Sequence, residues 1–166
     1  MRHTIAIYPG SFDPPTAGHL NIVERGLSIF KKIIIAVAKN TSKDSLFSPE
    51  ERVRLLKEIL RKNKNVEVTY FHGLLVEYAK KKKAKVILRG LRTVADYEYE
   101  LQMAFSNKSL YPEIETVFLM TENRYSHLSS TLIKEIAHFG GSVAKLVPPQ
   151  VQAALKAQRK AIKKPR

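Results

Sequence analysis

Between residues 9 and 19 the chain reads Pro9-Gly10-Ser11-Phe12-Asp13-Pro14-Pro15-Thr16-Ala17-Gly18-His19. Gly10 lets backbone come close to a bound group and Ser11 adds a hydroxyl. A helix starting near Ala17 would aim free N–H groups at an anion, with His19 in its first turn. That is chemistry suited to a phosphate. On its own the loop reads equally well as a plain turn followed by a solvated histidine.

Three further clusters are of the same kind. Arg89-Gly90-Leu91-Arg92 is followed by Asp96, Glu98 and Glu100. Guanidinium groups bind phosphate oxygens bidentately, although two surface arginines paired with those acids is the plainer account of this segment alone. Asn40-Thr41-Ser42-Lys43 and Tyr125-Ser126-His127-Leu128-Ser129-Ser130-Thr131 add hydroxyls and a base, and the second hydroxyl cluster would also simply cap a helix. Glu98 and Glu100 are two apart on a helix and do not face each other, which argues against a glycosidase pair. Neither a Walker loop nor a GxGxxG fingerprint occurs.

The elements that must position these residues alternate. Short β-branched or apolar runs fall at Thr4 to Tyr8, Ile33 to Ala38, Val66 to Phe71, Val86 to Leu88 and Thr116 to Met120. Helical spacing separates them, at Leu20, Val23 and Leu27; Val53, Leu56 and Leu60; Leu75 and Tyr78; Val94, Tyr97 and Leu101; and Leu132, Ile133 and Ile136. Ser48, Pro49 and Glu51 form an explicit helix start, Gly140 and Gly141 a stop, and a last helix begins after Pro148 and Pro149. Such alternation predicts a parallel sheet with helices on both faces and right-handed crossovers. Ligands of these sheets bind beyond the carboxyl ends of the strands, where strand order reverses. All four polar clusters follow strands, and their convergence on that one edge outweighs the plain reading of each.

Bulk composition limits the classes of function. At 166 residues the chain has the size of one domain, residues 1–166, with 44% hydrophobic and 27% charged residues and no cysteine. Disulfides, zinc ribbons and thiol nucleophiles are thereby excluded. The longest clean apolar stretch is far short of a membrane span, so a soluble protein is expected. The 29 Lys plus Arg against 15 Asp plus Glu, a net charge of +14, point to an anionic partner. Part of that excess lies in a basic tail at about 156–166. A nucleic-acid-binding module is the rival reading, weakened because the tail from Val151 has no aromatic on which a base could stack.

Taken in order, YPGSFDPPTAGH at 8–19, SK at 42–43, FSPEERV at 47–53, RGLRTVADYEYE at 89–100, VFLM at 117–120 and SSTLIKE at 129–135 closely resemble the phosphopantetheine adenylyltransferases of coenzyme A biosynthesis, within the (T/H)xGH nucleotidyltransferases. The TxGH and SST-like segments belong to the whole superfamily, whereas RGLRxxxDxExE with PGSFDPxTxGH is specific to this family. The expected fold is then α/β, a Rossmann-like doubly wound five-stranded parallel sheet ordered 3-2-1-4-5 with helices on both faces.

The resemblance implies transfer of AMP from ATP to 4′-phosphopantetheine, giving dephospho-CoA and pyrophosphate, with Mg2+ carried on ATP. It makes His19 a transition-state stabiliser and assigns catalytic work to Lys43 and Arg92. It places Ser11, Lys43, Leu75 and Arg89 on the acceptor. The ATP positions are Ser11, Phe12, His19, Gly90, Leu91, Arg92, Glu100, Tyr125, Ser126, His127, Leu128, Ser129, Ser130 and Thr131, with no protein metal ligand. It further implies a cytoplasmic homohexamer, coenzyme A as feedback inhibitor, and neither membrane nor nucleic-acid partners. Ser11 stands where threonine is common, and His127-Leu128 replaces an aromatic and β-branched pair. A cytidylyltransferase or a nicotinamide-mononucleotide adenylyltransferase is the alternative within the same chemistry, opposed by the RGLR segment.

Overall fold

The computed structural model describes residues 4–39 and 45–162, with the side chains of 160–162 set aside. Five parallel strands, β1 (Ile5–Gly10), β2 (Lys32–Ala38), β3 (Val66–Phe71), β4 (Val86–Leu91) and β5 (Glu115–Met120), lie in the order β3-β2-β1-β4-β5. Between and after them run α1 (Ala17–Ile29), α2 (Pro49–Ile59), α3 (Leu75–Lys81), α4 (Val94–Leu110), α5 (Ser130–Phe139) and α6 (Pro149–Ile162).

Alternation along the strands splits the core in two. Ala6, Tyr8, Ile33, Ile35, Val37 and Leu88 face one side and pack on Ile22 and Val23 of α1 and Leu56 of α2. Ile7, Ile34, Ala36 and Ile87 face the other and meet Ala79, Leu75 and Tyr78 of α3. A third cluster, with Phe47, Ile133, Val143, Val147, Val151 and Leu155, fastens α5 and α6 beside α2. Val151 and Leu155 are buried, so the helix that enters the basic tail is structural at least to Leu155.

The expected helix signals act as read. Ser48 Oγ accepts from Glu51 N–H while the Glu51 carboxylate accepts from Ser48 N–H, and Gly140 closes α5 with a φ of 88°. Three expectations need correction. The first strand does not stop at Tyr8 but runs through Pro9 to Gly10, because it pairs with β2 that far. The fourth strand does not stop at Leu88 but runs through Arg89 and Gly90 to Leu91, because it pairs with β5 along its whole length. The arginines therefore stand on and just beyond a strand, not in a loop. In α4, Val94 and Tyr97 are exposed instead of facing a core, and the buried residues are Glu100 and Asn107.

One feature of register prepares the site. β1 pairs with β4 only at Ala6–Val86 and Ile7–Ile87, although both strands run on by several residues. They part at the point where strand order reverses, and the gap between their carboxyl ends is where a ligand enters such a sheet.

Candidate active site

Two clefts open from that gap. The first, about 300 Å³, is walled by Tyr8 to Phe12, the start of α1 with His19, Arg89, Gly90 and Arg92, and the start of α5 from Leu128 to Thr131. The second, about 480 Å³, is lined by Leu74, Leu75, Phe71, Tyr99, Met103 and Leu110 among others. Pro9, Gly10, Ser11, Arg89 and Glu100 belong to both. A polar cleft and an apolar one thus share a wall.

His19 is held by the turn that precedes it. Thr16 caps α1, its Oγ1 accepting from His19 N–H at 3.3 Å, while Thr16 N–H donates to His19 Nδ1 at 3.0 Å. A backbone N–H can only donate, so Nδ1 must be the unprotonated nitrogen and Nε2 carries the hydrogen. The Phe12 ring meets the imidazole edge-on at 4.9 Å and fixes its plane, and Phe12 itself leans on Tyr8 at 5.3 Å. Burial, with the charges of Arg92 and Arg89, pulls the His19 pKa down to about 4. His19 is therefore a neutral Nε2–H donor on the cleft wall.

This has a consequence for stability. His19 in the unfolded chain binds a proton near pH 6.5, and the folded chain resists doing so until about pH 4. Between these values the unfolded state holds more protons, so stability falls as pH is lowered through that window. His19→Gln, whose amide oxygen can still accept from Thr16 N–H, should lose less stability from pH 6.5 to 4.5 than the wild type. Thermal melts of both across that range test it, and parallel curves would contradict the assignment.

Both arginines are paired with acids of α4, as the plainer sequence reading had it, yet both also line the polar cleft. Arg89 donates from Nε to Glu100 at 2.6 Å, from Nη2 to the other Glu100 oxygen, and from Nη1 to Pro9 O at 2.6 Å. Arg92 donates to both oxygens of Asp96 at 3.0 Å and to Leu128 O at 2.8 Å. Burial works against the charge on Asp96, but the Arg92 guanidinium and the Arg92 and Thr93 N–H groups outweigh it and hold its pKa below the ordinary value. Burial likewise pushes the Tyr8 phenol up, beyond any ionisation in the working range, despite Arg89 and Arg92. Gly90 has to be glycine for packing, since a Cβ there would lie 2.9 Å from Ile22 Cγ1 of α1.

The remaining expected residues divide. Ser129 Oγ caps α5 by accepting from Leu132 N–H, Ser130 Oγ donates to Pro14 O at 2.9 Å, and both line the polar cleft with Thr131 and Leu128. Leu75 lines the apolar cleft. Leu91 is buried in the core, and Tyr125, Ser126 and His127 stand outside the lining of either cleft, with Tyr125 backing onto Gly18 and Ser126 Oγ donating to Asn123 O. Lys43 lies outside the described residues. Sequence reasoning missed Thr16, Asp13 and Arg52, which hold the loop from behind. Charged residues count as surface by composition, and only the spacing of Arg52 to Leu55 and Leu56, three and four residues on along α2, could have hinted that Arg52 points inward. Among the described residues no group of three or more His, Asp or Glu side chains could hold a metal ion, and no helix is long and apolar enough to cross a membrane.

Comparison with known proteins gives a consistent picture. Residues 7–136 match the cytidylyltransferase-like family. The chain is 58% identical to a phosphopantetheine adenylyltransferase of Cyanothece sp. over 89% of this chain and 87% of that one. Identity to the protein of the same name from Caldanaerobacter subterraneus subsp. tengcongensis is 56%, covering 91% and 94%, and to that from Geotalea daltonii 54%, covering 95% and 98%. In fold it is similar to the crystal structure of a putative nicotinate-nucleotide adenylyltransferase from Vibrio parahaemolyticus, with a TM-score of 0.69 at 17% identity over 95% of this chain and 96% of that one.

Proposed function

Because the chain belongs to the cytidylyltransferase-like family and, within it, to the phosphopantetheine adenylyltransferases of coenzyme A biosynthesis, we propose that it joins AMP from ATP to the phosphate of 4′-phosphopantetheine by direct in-line attack. The observation that carries this reading is the shared wall between the two clefts. The polar cleft suits a triphosphate, with two guanidiniums, a histidine donor and the N-termini of α1 and α5 around it. The apolar cleft suits an extended arm with few charges. Where they meet, at Ser11 and Arg89, an acceptor phosphate and an α-phosphate would come together.

Little covalent chemistry is asked of the protein. The acceptor phosphate is an anion at neutral pH, so its oxygen attacks the α-phosphorus with no proton to remove, the α–β bridging bond breaks, and pyrophosphate leaves with the electron pair. Catalysis is positioning and charge stabilisation. His19 Nε2–H would donate to an α-phosphate oxygen as charge builds, and Arg92 would neutralise the phosphates. Ser11, Arg89 and Lys43 would orient the acceptor, Leu75 would line its arm, and Ser129 to Thr131 would meet the nucleotide. Mg2+ enters on the phosphates of ATP as part of the substrate.

The same reading extends to assembly and control. Val94 is 80% and Phe105 67% exposed on α4, an apolar surface of the kind that a second copy covers, which supports self-association, and the family resemblance extends this to a homohexamer. Coenzyme A carries the same arm as the acceptor and would compete for the apolar cleft, in a cytoplasmic enzyme. Pyrophosphate release from MgATP should occur with 4′-phosphopantetheine and not with nicotinamide mononucleotide, nor from CTP with glycerol 3-phosphate. Turnover of either other pair in its place would keep the chemistry and overturn the substrate, and silence with all three would overturn the reading.

A further inference from the structure

We propose that Asp13 is a positioning residue for adenylyl transfer, its buried carboxylate setting where the Ser11–Phe12 turn stands relative to the wall formed by α5. Asp13 lines neither cleft and is 5% exposed. Its Oδ1 accepts from Phe47 N–H at 2.9 Å, and its Oδ2 accepts from Leu46 N–H at 2.9 Å and from Lys134 Nζ at 3.1 Å. Three donors from two other segments thus converge on one side chain. Lys134 lies one turn beyond Ser130 on α5, and Ser130 Oγ already donates to Pro14 O in the same loop. The α5 wall of the polar cleft is therefore tied to this loop twice, once through Asp13.

On the other side of Phe12 the loop is held just as firmly. Arg52, 2% exposed, donates from Nη1 to Ser11 O at 2.6 Å and from Nε to Ser48 O at 3.3 Å. Phe12 sits between these two anchors with a φ of 49°, a conformation costly for a bulky residue and kept only where its surroundings over-determine it. That conformation sets the Phe12 ring against His19. Asp13 thus reaches the reacting atoms through Phe12 and His19 on one side and through α5 on the other. Only an acceptor-only group can serve all three donors, because an asparagine would present its NH2 to a backbone N–H or to the lysine.

The inference rests on the adenylyl-transfer reading, and wild-type turnover of 4′-phosphopantetheine in the same assay tests that reading separately. In Asp13→Asn, kcat should fall roughly 10²-fold, the scale of an ångström-sized misplacement, while the dissociation constant for ATP moves by no more than about threefold. The NMR signal of His19, which lies in the ring field of Phe12, should shift in the same variant, a readout independent of turnover. Lys134→Gln, which removes the positive charge and shortens the reach of a half-buried side chain, should lower kcat by roughly tenfold, and Lys134→Arg should restore most of it. Folded Asp13→Asn with wild-type kcat and an unmoved His19 signal would overturn the proposal, as would a kcat loss matched by an equal loss of ATP affinity. If Asp13→Asn does not fold, the lysine pair decides: wild-type kcat in Lys134→Gln overturns the proposal, and loss with rescue by arginine supports it.

Discussion

His19→Ala is expected to lower kcat by roughly 10²-fold or more, the scale of removing one preorganised oxyanion donor, with little change in ATP affinity. In the proposed reaction the donor would act where charge appears during transfer, and the arginines and helix N-termini that line the same cleft stay in place. The variant also loses half of a capping box, since Thr16 N–H would no longer find Nδ1. That should cost about 1 kcal/mol of stability. His19→Gln separates the two effects, because it can keep the cap but not the aimed Nε2–H. Comparable kcat loss in both variants, with a lowered melting temperature in alanine alone, is the expected pattern. Near-normal kcat in His19→Ala would remove the role altogether. Since the imidazole is already neutral well below pH 6, kcat should show no histidine inflection between about pH 5 and 8.

Arg89→Ala should be the most damaging change to the acceptor side. Arg89 stands on the shared wall and neutralises Glu100, whose side chain is largely buried on α4. Removing the guanidinium leaves that carboxylate without its partner, a loss of about 3 kcal/mol by the usual cost of breaking a buried pair. For a chain of this size that lowers the melting temperature by roughly 6–12 °C. Catalytic efficiency toward 4′-phosphopantetheine should fall by roughly 10²-fold or more, through lost orientation of the attacking phosphate, while ATP binding weakens less. Arg89→Ala with Glu100→Gln should recover much of the melting temperature and none of the acceptor efficiency. Recovery of both would mean that Arg89 serves the fold alone, and equal weakening of ATP and acceptor in titrations would contradict its place on the acceptor side.

What could be read from the chain and what could not have different physical origins. Strand runs such as Ile33 to Ala38 are legible because both faces of a parallel sheet are buried, and the start at Ser48-Pro49-Glu51 is legible because capping is local chemistry. The polar cleft was legible through convergence: of the four clusters expected at strand ends, residues from three line it, and the fourth, at 40–43, lies outside the described residues. By contrast, α4 was misread from its apolar spacing. Its inward face holds Glu100, paired with Arg89, and Asn107, while Val94, Tyr97 and Phe105 are exposed and Tyr99, Met103 and Leu110 line the apolar cleft. Helical periodicity assumes that the core takes the apolar side, and a helix built around a site breaks that assumption. Arg52 and Asp13 were illegible for a related reason. Their burial is set by carbonyl and N–H groups of segments distant in sequence, which no window around either residue contains.

The wall common to the two clefts also bears on inhibition. Because Ser11 and Arg89 border both, a molecule with an adenosine end and an apolar arm would need only a short anionic joint to fill them together. Once one end is seated, the other sees its cleft at an effective concentration in the millimolar range, as for short flexible linkers, and the two weak affinities multiply. A rigid joint shaped to the wall shared by Gly10, Ser11 and Arg89 would raise that figure further, whereas either half alone would compete with only one substrate.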